Sequence, residues 1–157
     1  KITEVLGGED NMLTCKKAVI TLQKMFQKFY DKSFGKLIPV RAEVVVGDAE
    51  WGVTGMIDQL FYNEKSKKLE IWDWKTNKAI KDKNKWQQFK EPLSHLDVCE
   101  LNTYSLQLSF YKLIVERNTT LELGDSYIVW FNENNDTYKI IKCYDFKGEI
   151  LKIMGNE

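Results

Sequence analysis

The stretch Leu69-Glu70-Ile71-Trp72-Asp73-Trp74-Lys75-Thr76 decides how the rest of the chain is read. Strand side chains alternate between faces, so Leu69, Ile71, Asp73 and Lys75 share one side. The first two are apolar and the last two charged. That order suits a strand that starts in a core and ends in a cleft. Two residues of strand rise put the Cα atoms of Asp73 and Lys75 about 7 Å apart, which leaves room for a metal ion and a reacting oxygen between their side-chain ends.

Just upstream, Gly55-Met56-Ile57-Asp58 belongs to a strand running from Trp51 to Tyr62, and the charged turn Asn63–Lys68 folds it back onto Leu69–Lys75. Across so short a turn Asp58 comes near Asp73. Two neighbouring carboxylates repel unless a cation lies between them, and hard oxygen ligands select Mg²⁺ or Mn²⁺ over zinc. A lysine beside them can orient an attacking water or stabilise charge developing on a phosphorane. A plainer reading also fits: Asp73 and Lys75 as a surface ion pair, worth under about 1 kcal/mol.

Outward from this pair, the period of the apolar residues lays out the other elements. Ala18, Leu22, Met25, Phe26 and Phe29 recur at helical spacing within 13–32, and Phe34-Gly35 ends that helix. Val40–Val46 is the first strand, with Gly47–Glu50 as the turn into the second, which contains Gly52 and Gly55. The three strands form an antiparallel meander, because their connections are too short for parallel crossovers. Thr76–Pro92 is a lysine-rich loop with a short helix near Trp86, and a long helix runs from Val98 to Asn118. Ser126–Phe131 and Tyr138–Tyr144 make a hairpin, and Lys147–Met154 is a closing helix. The order α-βββ-α-ββ-α predicts an α+β (α/β/α) domain: a mixed central sheet flanked by helices, one domain across 1–157.

Composition narrows the class. The chain has 157 residues, 43% of them apolar and 13% aromatic, with two prolines, which excludes a disordered tail. No apolar run approaches the roughly 18–20 residues a membrane span needs, and no signal peptide is visible. Cys15, Cys99 and Cys143 are odd in number and far apart, so reduced thiols in a cytoplasmic protein are expected, with neither a disulfide framework nor an iron–sulfur cluster. The net charge of zero hides an asymmetry. Residues 1–90 hold 17 Lys/Arg against 12 Asp/Glu, and residues 91–157 hold 6 against 11. The densest basic run, Lys75 to Lys90, carries six lysines against Asp82 alone. It is either a solvated loop or a track for a phosphate backbone.

With the flanks added, the pattern is specific. Gly55-x-x-Asp58, then Ile71-Trp72-Asp73-Trp74-Lys75-Thr76, then Gln107-Leu108-Ser109-Phe110-Tyr111 resembles the PD-(D/E)XK nuclease superfamily. The likeness spans about Val40 to Glu116 and is closest to the branch of the RecB nuclease domain and phage exonucleases, with Pro92–Leu96 and Tyr104–Leu108 similar to phage members. It implies a restriction-endonuclease-like core in which Asp58, Asp73 and the backbone carbonyl of Trp74 hold Mg²⁺ or Mn²⁺ and Lys75 is the catalytic lysine. Glu43 matches a frequent acidic position or is simply an edge-strand charge. Many relatives of this branch carry a metal-binding histidine on a helix upstream of the sheet. The only histidine here is His95, which lies downstream and is read as a helix-entry or packing residue, so that helix either precedes Lys1 or is dispensed with.

Tyr104, Gln107 and Tyr111 share one face of the long helix. Beside the Asp-x-Lys strand they are expected to position a DNA strand, with Lys78 on the loop as a further contact; the plainer alternative is an ordinary packing stripe. Trp72 is expected in the core, while Trp74 and Trp86 either pack or stack bases. The resulting expectation is a DNA exonuclease acting on single strands or free ends in recombination, repair or phage DNA processing, with a helicase or recombination protein as partner. The alternatives are a structure-specific or restriction-like endonuclease, a non-catalytic nucleic-acid-binding module, and a nuclease domain cut from a longer polypeptide.

Overall fold

The computed structural model describes residues 9–155, with side chains from Cys15 onward. Its elements run α1 (Glu9–Ser33), β1 (Leu37–Asp48), β2 (Val53–Asn63), β3 (Lys68–Lys75), α2 (Glu100–Asn118), β4 (Leu123–Trp130), β5 (Lys139–Lys142) and α3 (Lys147–Ile153). The five strands form one sheet in the order β1-β2-β3-β4-β5. β1, β2 and β3 are the antiparallel meander expected from their short turns. β4 then lies parallel to β3, reached through α2, and β5 returns antiparallel to β4. The sheet is therefore mixed, and the α+β architecture is as read from the sequence.

Two apolar layers sandwich the sheet. On one face Ile57, Ile71 and Ile128 meet Leu101, Leu108 and Ile114 of α2. On the other, Met25 and Phe29 of α1 meet Phe61, Trp72, Val129 and Phe131. Phe29 is the hub of the second layer. Its ring lies 5.5 Å from Trp74, 5.7 Å from Trp72 and 5.5 Å from Tyr138. Aromatic pairs of this kind contribute about 0.5–1.5 kcal/mol each beyond area burial. They anchor both indoles of β3 on the α1 side, which turns Ile71, Asp73 and Lys75 toward α2.

Several details differ from the sequence reading, among them the start of β1 at Leu37 and the shorter β5. Gly52 lies in the β1–β2 turn rather than in β2, at φ +64, a left-handed conformation that glycine adopts without strain. No helix forms near Trp86. Instead the segment between Lys75 and Glu100 is held by the bridge Gln88↔Asp97 and by the Asn84 side chain, which donates to the Val98 carbonyl at 2.8 Å. Its polar, lysine-rich sequence offers no apolar stripe for a helix to bury. β4 begins at Leu123, three residues before the expected start, because Leu123 pairs with Leu69 ahead of a register shift.

Candidate active site at the fork between β2 and β3

The β2–β3 pairing ends at Gln59↔Trp72. β3 continues beside β4 as far as Lys75↔Trp130, so the sheet opens into a fork at the next residues, Asp58 and Asp73. Asp58 Oδ2 accepts a hydrogen bond from the Trp74 N–H at 3.0 Å, in place of the backbone partner that β2 no longer supplies. The Lys75 carbonyl accepts from the Phe131 N–H on the β4 side. Successive residues of a strand aim their carbonyls at opposite edges, so the Trp74 carbonyl points into the fork with the two carboxylates.

Asp73 is 3% exposed. The Lys75 ammonium lies against its Oδ2, off the hydrogen-bonding direction, and this buried oxygen has no directed donor. The pair is thus an ion pair, but a buried one, and the surface alternative falls away. Burial pushes the Asp73 pKa upward, the Lys75 ammonium beside it pulls it down, and the nearby Asp58 carboxylate pushes it up again. Upward wins. A buried carboxylate oxygen lacking a donor, beside a second acid and a backbone carbonyl, fits a hard divalent cation. Among the described residues no set of three His, Cys, Asp or Glu side chains converges on one point, so water and backbone oxygen would complete the coordination.

α2 closes the fork from above. Lys75 Nζ sits 4.7 Å from the centroid of the Tyr104 ring. Gln107 Nε2 donates to the Tyr111 hydroxyl at 2.9 Å. The Tyr111 ring rests on Gly55, where a Cβ would come within 2.2 Å of its Cε1 atom. Gly55 is therefore the seat that lets Tyr111 approach β2. All three helix residues are half-buried, and Tyr104 and Tyr111 pack against the α2-side core, so the packing stripe and the site face are the same surface.

The remaining residues sort by position. Glu43 is exposed at φ 50 and level with Asp58, since its neighbours pair as Ala42↔Gln59 and Val44↔Ile57. Lys78 is exposed, and its carbonyl is braced by the buried Asn132 side chain at 2.9 Å. Asn132 also holds the Asn77 carbonyl, which fixes the chain just beyond Lys75. Sequence reading missed this brace, because an asparagine in a hairpin turn carries no signal of its distant partner. His95 lies in the long loop, 3.7 Å from Glu149, away from the two acids. α1 packs on the opposite face, against Trp72, which is buried in the core, and Trp74, which is half-buried beside it. Cys143 is buried, and burial pushes its thiol up to about 12, so it stays protonated and offers no thiolate. No described helix is long and apolar enough to cross a membrane.

A groove of about 500 Å³ lies beside the fork. Tyr104 and Thr103 of α2 form its inner wall, and Lys81, Lys83, Lys85 and Trp86 of the loop form the outer one.

A sheet that opens at paired acids, with a lysine beside them and a helix over them, is an arrangement suited to metal-assisted phosphodiester hydrolysis. The chain belongs to the PD-(D/E)XK nuclease superfamily, whose family model matches residues 7–154. No curated protein matches it significantly. Membership implies a nuclease that acts on DNA, in a superfamily whose members generally use divalent metal ions, typically Mg²⁺.

Proposed function

We propose that this protein is an Mg²⁺- or Mn²⁺-dependent deoxyribonuclease that degrades DNA from free, single-stranded ends, as in the branch of RecB-like and phage exonucleases. The observation that carries the catalytic part is the fork, where Asp58, the buried Asp73 and the Trp74 carbonyl stand together with Lys75 beside them; these three oxygen donors would hold the cation. When bound there, a divalent cation would supply Lewis acidity toward a scissile phosphate and a lower pKa for its bound water. Lys75 holds its ammonium where attacking water is oriented and developing charge is stabilised. Glu43, level with Asp58 at the solvent side, is assigned a supporting acidic role. The processes served would be recombination, repair or phage DNA processing in the cytoplasm, with a helicase or recombination protein as partner.

End dependence rests on α2. A glutamine amide both donates and accepts, so Gln107 can hold a phosphate or base edge without demanding a sequence. Tyr104 and Tyr111 offer rings and hydroxyls to a strand threaded past the acids. Linear DNA is expected to be degraded with Mg²⁺ or Mn²⁺ and not with EDTA, while covalently closed and single-stranded circles persist. Tyr111→Ala should slow digestion of single-stranded ends roughly ten- to hundredfold, the loss expected when a stacked base is released, and Gln107→Ala should slow it through the lost hydrogen bonds. Circles cut as fast as linear DNA would replace this reading with a structure-specific or restriction-like endonuclease.

The loop lysines supply the charge that meets the DNA backbone. Changing Lys78, Lys81, Lys83 and Lys85 together to Ser should flatten the log–log dependence of single-strand affinity on salt by about 0.7 for each phosphate no longer neutralised. An unchanged slope would return the loop to solvent.

A further inference from the structure

Trp86 is 95% exposed, the most exposed of the large hydrophobic side chains described. An indole in water at that level contributes nothing to folding by burial. Its loop is nevertheless firmly held. The Asn84 side chain accepts from the Trp86 N–H at 3.1 Å, the Asp97 carboxylate accepts from the Asn84 N–H at 3.1 Å, and the Gln87 carbonyl accepts from the Val98 N–H at 2.9 Å. At the other end of the loop, Glu100 Oε2 accepts from the Lys81 N–H, which occupies the one carboxylate that lines the groove. A braced loop therefore presents an uncovered ring, with Lys81, Lys83 and Lys85 as ammonium groups along the same wall.

The opposite wall is Tyr104, whose ring lies under the Lys75 ammonium. The groove thus lies between the exposed indole and Tyr104, the residue that touches the Lys75 ammonium. An aromatic ring on each wall, with ammonium groups along the outer one, matches the needs of a single nucleic-acid strand: faces for unpaired bases and charge for phosphates. Inside a duplex the bases stack on one another, and only the two terminal pairs offer a free face.

We propose that Trp86 is a base-stacking platform that selects single-stranded DNA and guides it along the Lys81–Lys85 wall to Tyr104 and the fork. This inference rests on the nuclease reading and deepens it by assigning the single-strand preference to a residue outside the acid–lysine set.

The test is binding of a short, labelled oligothymidylate and a blunt duplex, followed by fluorescence anisotropy in EDTA, where no cleavage occurs. Trp86→Ala should weaken oligothymidylate binding roughly ten- to hundredfold while changing duplex affinity less than about twofold. Trp86→Phe should keep most of the affinity and Trp86→Leu should not, because stacking needs a π-face rather than apolar area. Nothing packs on this side chain, so unchanged thermal unfolding is expected for all three. Three outcomes would overturn the assignment: Trp86→Ala within twofold of wild type on the single strand, an equal loss on both DNAs, or no binding of oligothymidylate by the wild-type protein. Cleavage by the wild-type protein with Mn²⁺ is scored separately. A protein that binds through Trp86 but never cuts would refute the catalytic reading and leave the groove in place.

Discussion

Asp73→Asn is expected to abolish cleavage and, in the absence of divalent metal, to raise the melting temperature. The two effects share one cause. Asp73 is buried beside a second carboxylate, and burial holds its pKa above the ordinary carboxylate range despite the Lys75 charge. A raised folded-state pKa means that the folded protein binds this proton more tightly than the unfolded chain does. The contribution of Asp73 to stability without metal is therefore fully present below the ordinary carboxylate pKa and is lost as pH rises through its raised value. Asparagine keeps the shape and removes the charge, so the decline should flatten and the metal-free protein should melt higher at neutral pH. For a chain of this size each kcal/mol recovered corresponds to about 2–4 °C.

The same substitution removes a ligand from the proposed cation, so the stabilisation that wild type gains on adding Mn²⁺ should shrink. Lys75→Ala should also stop cleavage but keep Mn²⁺ binding, because a lysine is no ligand here. Thermal unfolding with EDTA and with Mn²⁺, across acidic to neutral pH, reads all of this. Turnover in Asp73→Asn close to wild type would refute the metal assignment. A steeper decline of its stability with pH would refute the electrostatic account.

Gly55→Ala is the second large effect, and it acts without touching a charged group. The new methyl carbon would come within 2.2 Å of Tyr111 Cε1 and 2.9 Å of its Cδ1 and Cζ, so the ring has to leave its seat. That movement breaks the 2.9 Å hydrogen bond from Gln107 and shifts the α2 face over the fork. Overpacking of this kind costs about 1–3 kcal/mol, and digestion of DNA ends should fall at least tenfold with it. The double variant Gly55→Ala, Tyr111→Ala separates the two consequences. Removing the ring should restore the melting temperature and leave activity low, a non-additivity that marks direct contact. Equal melting temperatures for Gly55→Ala and wild type would show that Tyr111 does not rest there.

Much of this was legible in the linear sequence because it depends on local periodicity. The alternation in Leu69–Lys75 placed Asp73 and Lys75 on one face, and the short turns dictated an antiparallel meander. The 3.6-residue stripe in 13–32 marked the face of α1 that now meets Trp72. Spacing also put Tyr104, Gln107 and Tyr111 on one side of a helix. None of these needs knowledge of a residue more than a few turns away.

Only the tertiary structure decided the rest, since each point depends on partners far apart in the chain. That β3 continues beside β4 after β2 leaves it is a matter of which strands pair, and this opens the fork at Asp58 and Asp73. Whether Asp73–Lys75 was a surface pair or a buried one turned on what α2 covers. The contact of Gly55 with Tyr111 joins residues 56 positions apart, and Asn132 reaches back to the loop that follows β3. The loop near Trp86 has no helix because its hydrogen bonds run to Asp97 and Val98 rather than to neighbours four residues away. Local pattern fixed what each segment can be, and long-range pairing selected which polar groups meet in the cleft.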